Sequence, residues 1–163
     1  MGSIRRQPGA GQAPPAHETA GAATTVDFLH GDWNVVRHIS DHLTGAVGEF
    51  RGEASFTRAG SDLTYREVGE LRFGGHRGPA SRSLLYRELA DGSADVRFAD
   101  GREFYRLDLR SGTCSAEHPC RADQYRVTVT RLSPDSFAET WRVTGPAKDY
   151  ELATTYTRTG GRE

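Results

Sequence analysis

Three charged residues stand where the sequence alternates between apolar and polar side chains. They are Arg37 in Trp33-x-Val35-x-Arg37-x-Ile39, Glu67 in Leu63-x-Tyr65-x-Glu67, and Arg82 in Arg82-x-Leu84-x-Tyr86. In an extended chain every second side chain faces the same way, so each charge shares a face with apolar neighbours. Such a charge is costly to bury unless it is paired. Two chemistries fit the pattern. An Arg–Glu pair closes on itself and only holds the fold, or a guanidinium grips a ligand carboxylate while Glu67 serves as a general base. Burial raises a carboxyl pKa and a nearby arginine lowers it, so residue types alone leave the direction open. Glu67, Tyr65, Arg82 and Tyr125 are the catalytic candidates. Arg37, Tyr86, Phe98, Trp141, Lys148 and Tyr150 are the candidates for ligand contact.

Lys148, the sole lysine, lies in Gly145-Pro146-Ala147-Lys148-Asp149-Tyr150. It either forms a surface ion pair beside a tight turn or reaches a cavity. In the cavity it would form a Schiff base or lower the pKa of Tyr150. Cys114, His118, Cys120 and Asp123 have metal-binding types but lack the paired spacing of a zinc site, so no metal is expected. Asp100-Gly101-Arg102 reads as a hairpin turn. The chain has no Gly-x-Ser-x-Gly elbow, Walker loop, dinucleotide fingerprint or His-Glu-x-x-His. The glycine-rich run 73–79 has no following helix to build a phosphate cradle. No cofactor is expected.

Short β-strands must position these residues. Residues 1–25, rich in Gly, Ala, Pro, Gln and Thr, read as a disordered leader. One helical turn follows from Val26, ending at Gly31. Nine alternating segments come next: 32–41, 49–58, 63–73, 81–88, 94–98, 103–109, 125–132, 137–143 and 150–158. The run 74–79 and the longer run 110–122 read as loops, and 160–163 as a tail. A meander this long avoids exposed edges by closing on itself. The expected fold is all-β: one antiparallel up-and-down barrel of about 8–10 strands over residues 26–159. Its inner face carries Trp33, Val35, Arg37, Ile39, Phe50, Gly52, Ala54, Phe56, Leu63, Tyr65, Glu67, Leu71, Arg82, Leu84 and Tyr86. Val96, Phe98, Tyr125, Val127, Phe137, Trp141, Tyr150, Leu152 and Tyr156 complete it.

The opening Phe28-Leu29-His30-Gly31-Asp32-Trp33 resembles the start of the calycin superfamily, the lipocalins and fatty-acid-binding proteins. That resemblance implies a barrel closed at one end by Trp33, packed beside a basic residue of the last strand, here Arg158. Phe98 to Phe104, His118-x-Cys120-x-x-Asp123-x-Tyr125 and Trp141-Arg142-Val143-x-Gly145-Pro146-x-Lys148-Asp149-Tyr150 resemble a small bacterial family of uncharacterised lipocalin-like proteins. Both resemblances imply a fold and a cavity, not a reaction.

The chain of 163 residues has a net charge of −1, with acids and bases interspersed. That argues against a nucleic-acid partner. No apolar run is long enough for a membrane span, and the N-terminus lacks the apolar centre of a secretory signal, so a cytoplasmic monomer or homodimer is expected. Cys114 and Cys120 then read as free thiols that a local bridge would join on oxidation. The expected partner is a hydrophobic or aromatic small molecule with a polar group. The reading leans to a cofactor-independent acid/base enzyme: an isomerase, cyclase or dehydratase (lyase) type, of the kind found in secondary-metabolite biosynthesis. A non-catalytic binder or sensor is the alternative, and a haem barrel a weaker one. His38 has outward phase, and His30, His42, His76 and His118 read as loop or strand-end residues.

Overall fold

The computed structural model describes residues 23–160. Of the expected leader 1–25 and tail 160–163, residues 1–22 and 161–163 lie outside the described residues, whereas Thr24 and Thr25, read as leader, belong to the first helical turn. The chain begins with a single helical turn, α1 (Thr25–Leu29). Thr24 and Asp27 cap it reciprocally: the Thr24 hydroxyl accepts from the Asp27 amide, and the Asp27 carboxylate accepts from the Thr24 amide, both at 3.1 Å. A helix of five residues does not hold by itself. Burial of Val26, Phe28 and Leu29 holds it across one end of the barrel. Thr25 ties it down further, donating its amide to Gly92 O at 2.9 Å and accepting from the Leu109 amide at 3.0 Å.

Ten antiparallel strands follow: β1 (Gly31–Asp41), β2 (Val47–Ala59), β3 (Asp62–Phe73), β4 (His76–Glu88), β5 (Ala94–Phe98), β6 (Glu103–Leu107), β7 (Thr113–Cys120), β8 (Asp123–Ser133), β9 (Ser136–Gly145) and β10 (Lys148–Arg158). They form one sheet in the order β6-β5-β4-β3-β2-β1-β10-β9-β8-β7. β1 pairs with β10, so the sheet wraps round until β6 and β7 lie side by side, without a ladder between them. The barrel is therefore nearly closed, with one seam.

Two expected loops are strands. Residues 113–120 of the run 110–122 form β7, which turns Cys114, Ala116 and His118 inward. Its small and polar side chains hide the alternation, and Pro119 near its end is tolerated because the strand is an edge. Most of the run 74–79 belongs to β4, where Pro79 faces Glu70 on β3 and has no ladder on its other side. The two cysteines are free. Lying six residues apart on one strand, they are roughly 20 Å apart, too far for the local disulfide that a loop would allow.

The expected inner face holds along the strands that carry it. At the closed end the Trp33 indole donates to Leu29 O at 2.8 Å, and the Arg158 guanidinium lies over its ring at 4.1 Å. Arg158 also donates to His30 O at 2.9 Å and Phe28 O at 2.5 Å. This is the Trp–basic pair that the calycin resemblance implies. Above it Phe28 and Phe56 each meet Phe137 edge to face, and Phe137 stacks on Tyr156 at 4.2 Å.

Gly52 faces Gly69 across β2 and β3. A Cβ on Gly52 would stand 2.2 Å from Val68 O and 2.9 Å from the Phe50 ring, which covers the glycine pair. Gly52→Ala is expected to lower the free energy of unfolding by about 1–3 kcal/mol, read from urea denaturation. An unchanged midpoint would contradict the close approach.

Candidate functional site

The inward charges meet in one layer across the middle of the barrel. Arg37 grips Glu67 with both Nη atoms, at 2.7 and 2.9 Å. It is able to do so because the intervening β2 presents only Gly52 and Ala54 between Val35 and Trp33 on one side and Gly69 and Glu67 on the other. Arg37 Nε donates to Thr154 Oγ1 on the paired strand β10 at 2.9 Å, and Nη2 reaches the Tyr156 hydroxyl at 3.5 Å. The Tyr65 hydroxyl donates to the second Glu67 oxygen and stands 3.2 Å from the Tyr156 hydroxyl. Both carboxylate oxygens and the Arg37 fork are thus engaged.

Arg82 is different. It faces Glu67 as its β4 cross-strand partner, with Nε 3.3 Å from Glu67 Oε1. That approach lacks hydrogen-bond geometry, and Nε has no hydrogen-bond partner among the described residues. A third of the Arg82 side chain remains accessible, whereas Glu67 is 4% accessible. The access opens upward into a pocket of about 140 Å³ lined by Arg82, Phe104, Tyr125, Trp141, Val143, Tyr150 and Leu152.

The pocket divides the sequence candidates. Arg82, Tyr125, Trp141 and Tyr150 share it. Arg37, Glu67, Tyr65 and Tyr86 lie sealed beneath it. Phe98 stands one ring away, stacked on Phe104 at 4.3 Å. Lys148 holds the rim, its ammonium 3.0 Å from the Tyr125 hydroxyl and 2.9 Å from Asp123. Gly145 makes room for that Asp123 carboxylate, since a Cβ there would stand 2.0 Å from Oδ1. A larger hollow of about 700 Å³, at the rim beside Val47, Phe73 and His76, holds none of the candidates.

Electrostatics sharpen the division. Burial pushes the Glu67 carboxyl up, but the Arg37 hydrogen bonds and the Arg82 and Arg37 charges outweigh it and leave the pKa below the ordinary value. Such a carboxylate is a poor general base. Burial pushes Tyr65 and Tyr86 well above the usual phenol range, and Tyr156 up to about 12. Hydrogen bonds to Tyr125 and Asp123 raise Lys148, which stays an ammonium and not the neutral amine a Schiff base needs. Tyr150 rises through burial and the neighbouring Tyr125, with Lys148 only opposing the trend.

Several inward residues around the site escape the sequence reading, Glu139, Phe104, Tyr105 and His118 among them. Glu139, buried on β9, accepts from Trp141 Nε1 at 2.9 Å. It shares the phase of Phe137 and Trp141, a signal the sequence does carry. Phe104 and Tyr105 both pack on Trp141, at 4.9 and 5.2 Å, and their adjacency marks a break in alternation. His118 is expected in a loop, yet it lies on β7 with its ring 5.5 Å from Phe104 and 6.2 Å from Tyr125. A histidine does therefore face the mouth, but the pocket is smaller than the ~300 Å³ at which drug-sized sites begin. His38 points outward beside Glu49, as its phase predicts.

Replacing Glu67 with Gln leaves the Arg37 guanidinium buried without its counter-charge, and is expected to cost about 3–5 kcal/mol. The carboxyl is depressed on folding, so its contribution is full above the ordinary value of 4.5 and fades as pH falls through the lower folded value. Acid unfolding followed by circular dichroism should then show a shallower limb for Glu67→Gln than for the wild type. Parallel limbs would contradict the pairing.

Comparison with known proteins adds a fold and a family. The S-type phycobiliprotein lyase CPES from Guillardia theta matches with a TM-score of 0.58 and 11% identity, over 84% of this chain and 92% of that one. A redesigned β-barrel, mFAP1, bound to DFHBI, matches at 0.43 and 14%, over 83% and 100%. A de novo designed fluorescence-activating β-barrel matches at 0.44 and 14%, over 84% and 99%. No curated protein matches the chain. Among the described residues no helix is long and apolar enough to cross a membrane. Residues 29–158, from the last residue of α1 to Arg158, match the model of a family of unknown function (DUF6314), and the chain belongs to that family.

Proposed function

We propose that the barrel binds a small aromatic molecule carrying an anionic group. The group sits on Arg82, and the ring lies against Trp141 and Leu152. Arg82 carries the reading: a guanidinium lining an otherwise aromatic and aliphatic pocket, a third of its side chain accessible, while its buried Nε lies beside Glu67 without a hydrogen bond. Few converging polar groups on an apolar wall make a small-molecule site, and a planar guanidinium suits a carboxylate. The barrel shared with a protein named as a lyase supports the reading at the level of fold.

Turnover is the second reading, as an isomerisation, cyclisation or dehydration without a cofactor. The Tyr125 phenol favours it, because it lines the pocket and receives a hydrogen bond from Lys148. Glu67 has no part in that chemistry, since both its oxygens are engaged. Tyr125 would move the proton, and exclusion of water by the pocket would assist.

Calorimetric titration with 2-naphthoate tests the binding reading. Arg82→Gln should weaken 2-naphthoate at least about tenfold, the loss of one charge-assisted bond, and leave 2-naphthalenemethanol little changed. Equal 2-naphthoate affinity in the variant, or no binding to the wild type, would overturn it. Native mass spectrometry of the purified protein separates the two readings. One bound mass common to wild type and Tyr125→Phe means binding alone. A different mass in the variant means that Tyr125 transforms the ligand.

A further inference from the structure

Phe104 faces the wrong way for its strand. Tyr105 and Leu107 are the buried residues of β6, so strict alternation would send Phe104 outward. The β5–β6 register explains the exception. Val96 faces Tyr105 and Arg97 faces Glu103, so Phe104 is an extra residue, a β-bulge. Bulges re-aim side chains beside functional sites. This one sends the Phe104 ring into the pocket, only half-buried, at the top of the seam between β6 and β7.

There the ring completes a near-parallel stack. Phe98 lies on one face at 4.3 Å and 19°, and Trp141 on the other at 4.9 Å and 11°. His118 meets its edge from across the seam. Lower down, Cys114 holds the seam shut: its thiol accepts from the Asp108 amide at 3.4 Å and donates to Arg106 O at 3.7 Å. The upper seam has no comparable backbone link among the described residues. A side chain at an unpaired edge moves without breaking a ladder.

We propose that Phe104 occupies the ring-binding subsite of this barrel. The planar ring of an aromatic acid displaces Phe104 from between Phe98 and Trp141, entering through the upper β6–β7 seam, while its anionic group settles on Arg82. The inference rests on the proposed binding function and adds its ligand shape, its entry route and the residue that competes with the ligand. It also accounts for the size of the pocket: the space of about 140 Å³ is what remains with the subsite filled by the protein's own ring.

A protein that must first withdraw a side chain binds more weakly by the fraction of time the side chain is out. Removing that side chain should therefore tighten binding. Titration of Phe104→Ala with 2-naphthoate is expected to show about tenfold or greater tightening over the wild type. Adding Phe98→Ala should abolish the gain, which mere extra space would not. Phe104→Leu, which preserves most of the packing, should fall between wild type and Phe104→Ala, and decides the matter where Phe104→Ala fails to fold. Unchanged or weaker binding in the Phe104 variants, with Arg82-dependent binding intact in the wild type, would overturn the subsite alone. Absence of 2-naphthoate binding from wild type and variants alike would overturn the subsite and the binding function together.

Discussion

The barrel is organised around one carboxylate shared unequally between two guanidinium groups. Glu67 gives both its oxygens to Arg37 and receives the Tyr65 hydroxyl as well. Arg82, its direct cross-strand partner, is left with the nearby charge and no bond from its Nε among the described residues. Breaking the Arg37 pair would strand a charge in an apolar interior, which makes the layer rigid and sets its height. Below it the rings of Trp33, Phe56, Phe137 and Tyr156 fill the space and α1 seals the end. Above it lies the pocket, and the guanidinium that lines it is the one the layer holds by charge without a hydrogen bond from its Nε. A fully engaged pair and an arginine held by charge alone thus divide one interior into a core and a site.

Sheet geometry decides who reaches that site. Gly52 and Gly69 make room for the Phe50 ring, over which Arg37 reaches Glu67. At the opposite side the meander stops short of closing. β6 is only five residues long and β7 carries small polar side chains, so the two meet through the Cys114 thiol and through ring edges. The bulge at Phe104 covers the gap with an aromatic ring in place of a ladder. A closed ladder would have protected the edge permanently, whereas a ring protects it reversibly.

Much of this is legible in residue order. Alternation places Arg37, Glu67, Arg82, Tyr125, Trp141 and Tyr150 on the inner face, because a strand exposes its phase directly. Gly31-x-Trp33 and Arg158 mark the closed end correctly. What alternation does not carry is height along the barrel or the contest between neighbours for one partner. Hence the separation of sealed Glu67 from accessible Arg82 comes only with geometry. The bulge and β7 are hidden for a different reason. A bulge is a one-residue slip between strands, invisible within either one, and β7 has too few apolar residues for its period to show. Glu139 needs no geometry, since it shares the phase of its neighbours Phe137 and Trp141.

The central claim is that Arg82, and not Arg37, is the group the interior offers to a ligand. Nitrogen-15 spectra of the arginine Nε–H groups, recorded during titration with 2-naphthoate, test it directly. The Arg82 Nε–H signal is expected to move as the guanidinium takes up the carboxylate, while that of Arg37, already bonded to Thr154, stays in place. Movement of Arg37 with Arg82 unperturbed, or no movement of either while 2-naphthoate binds, would contradict the account.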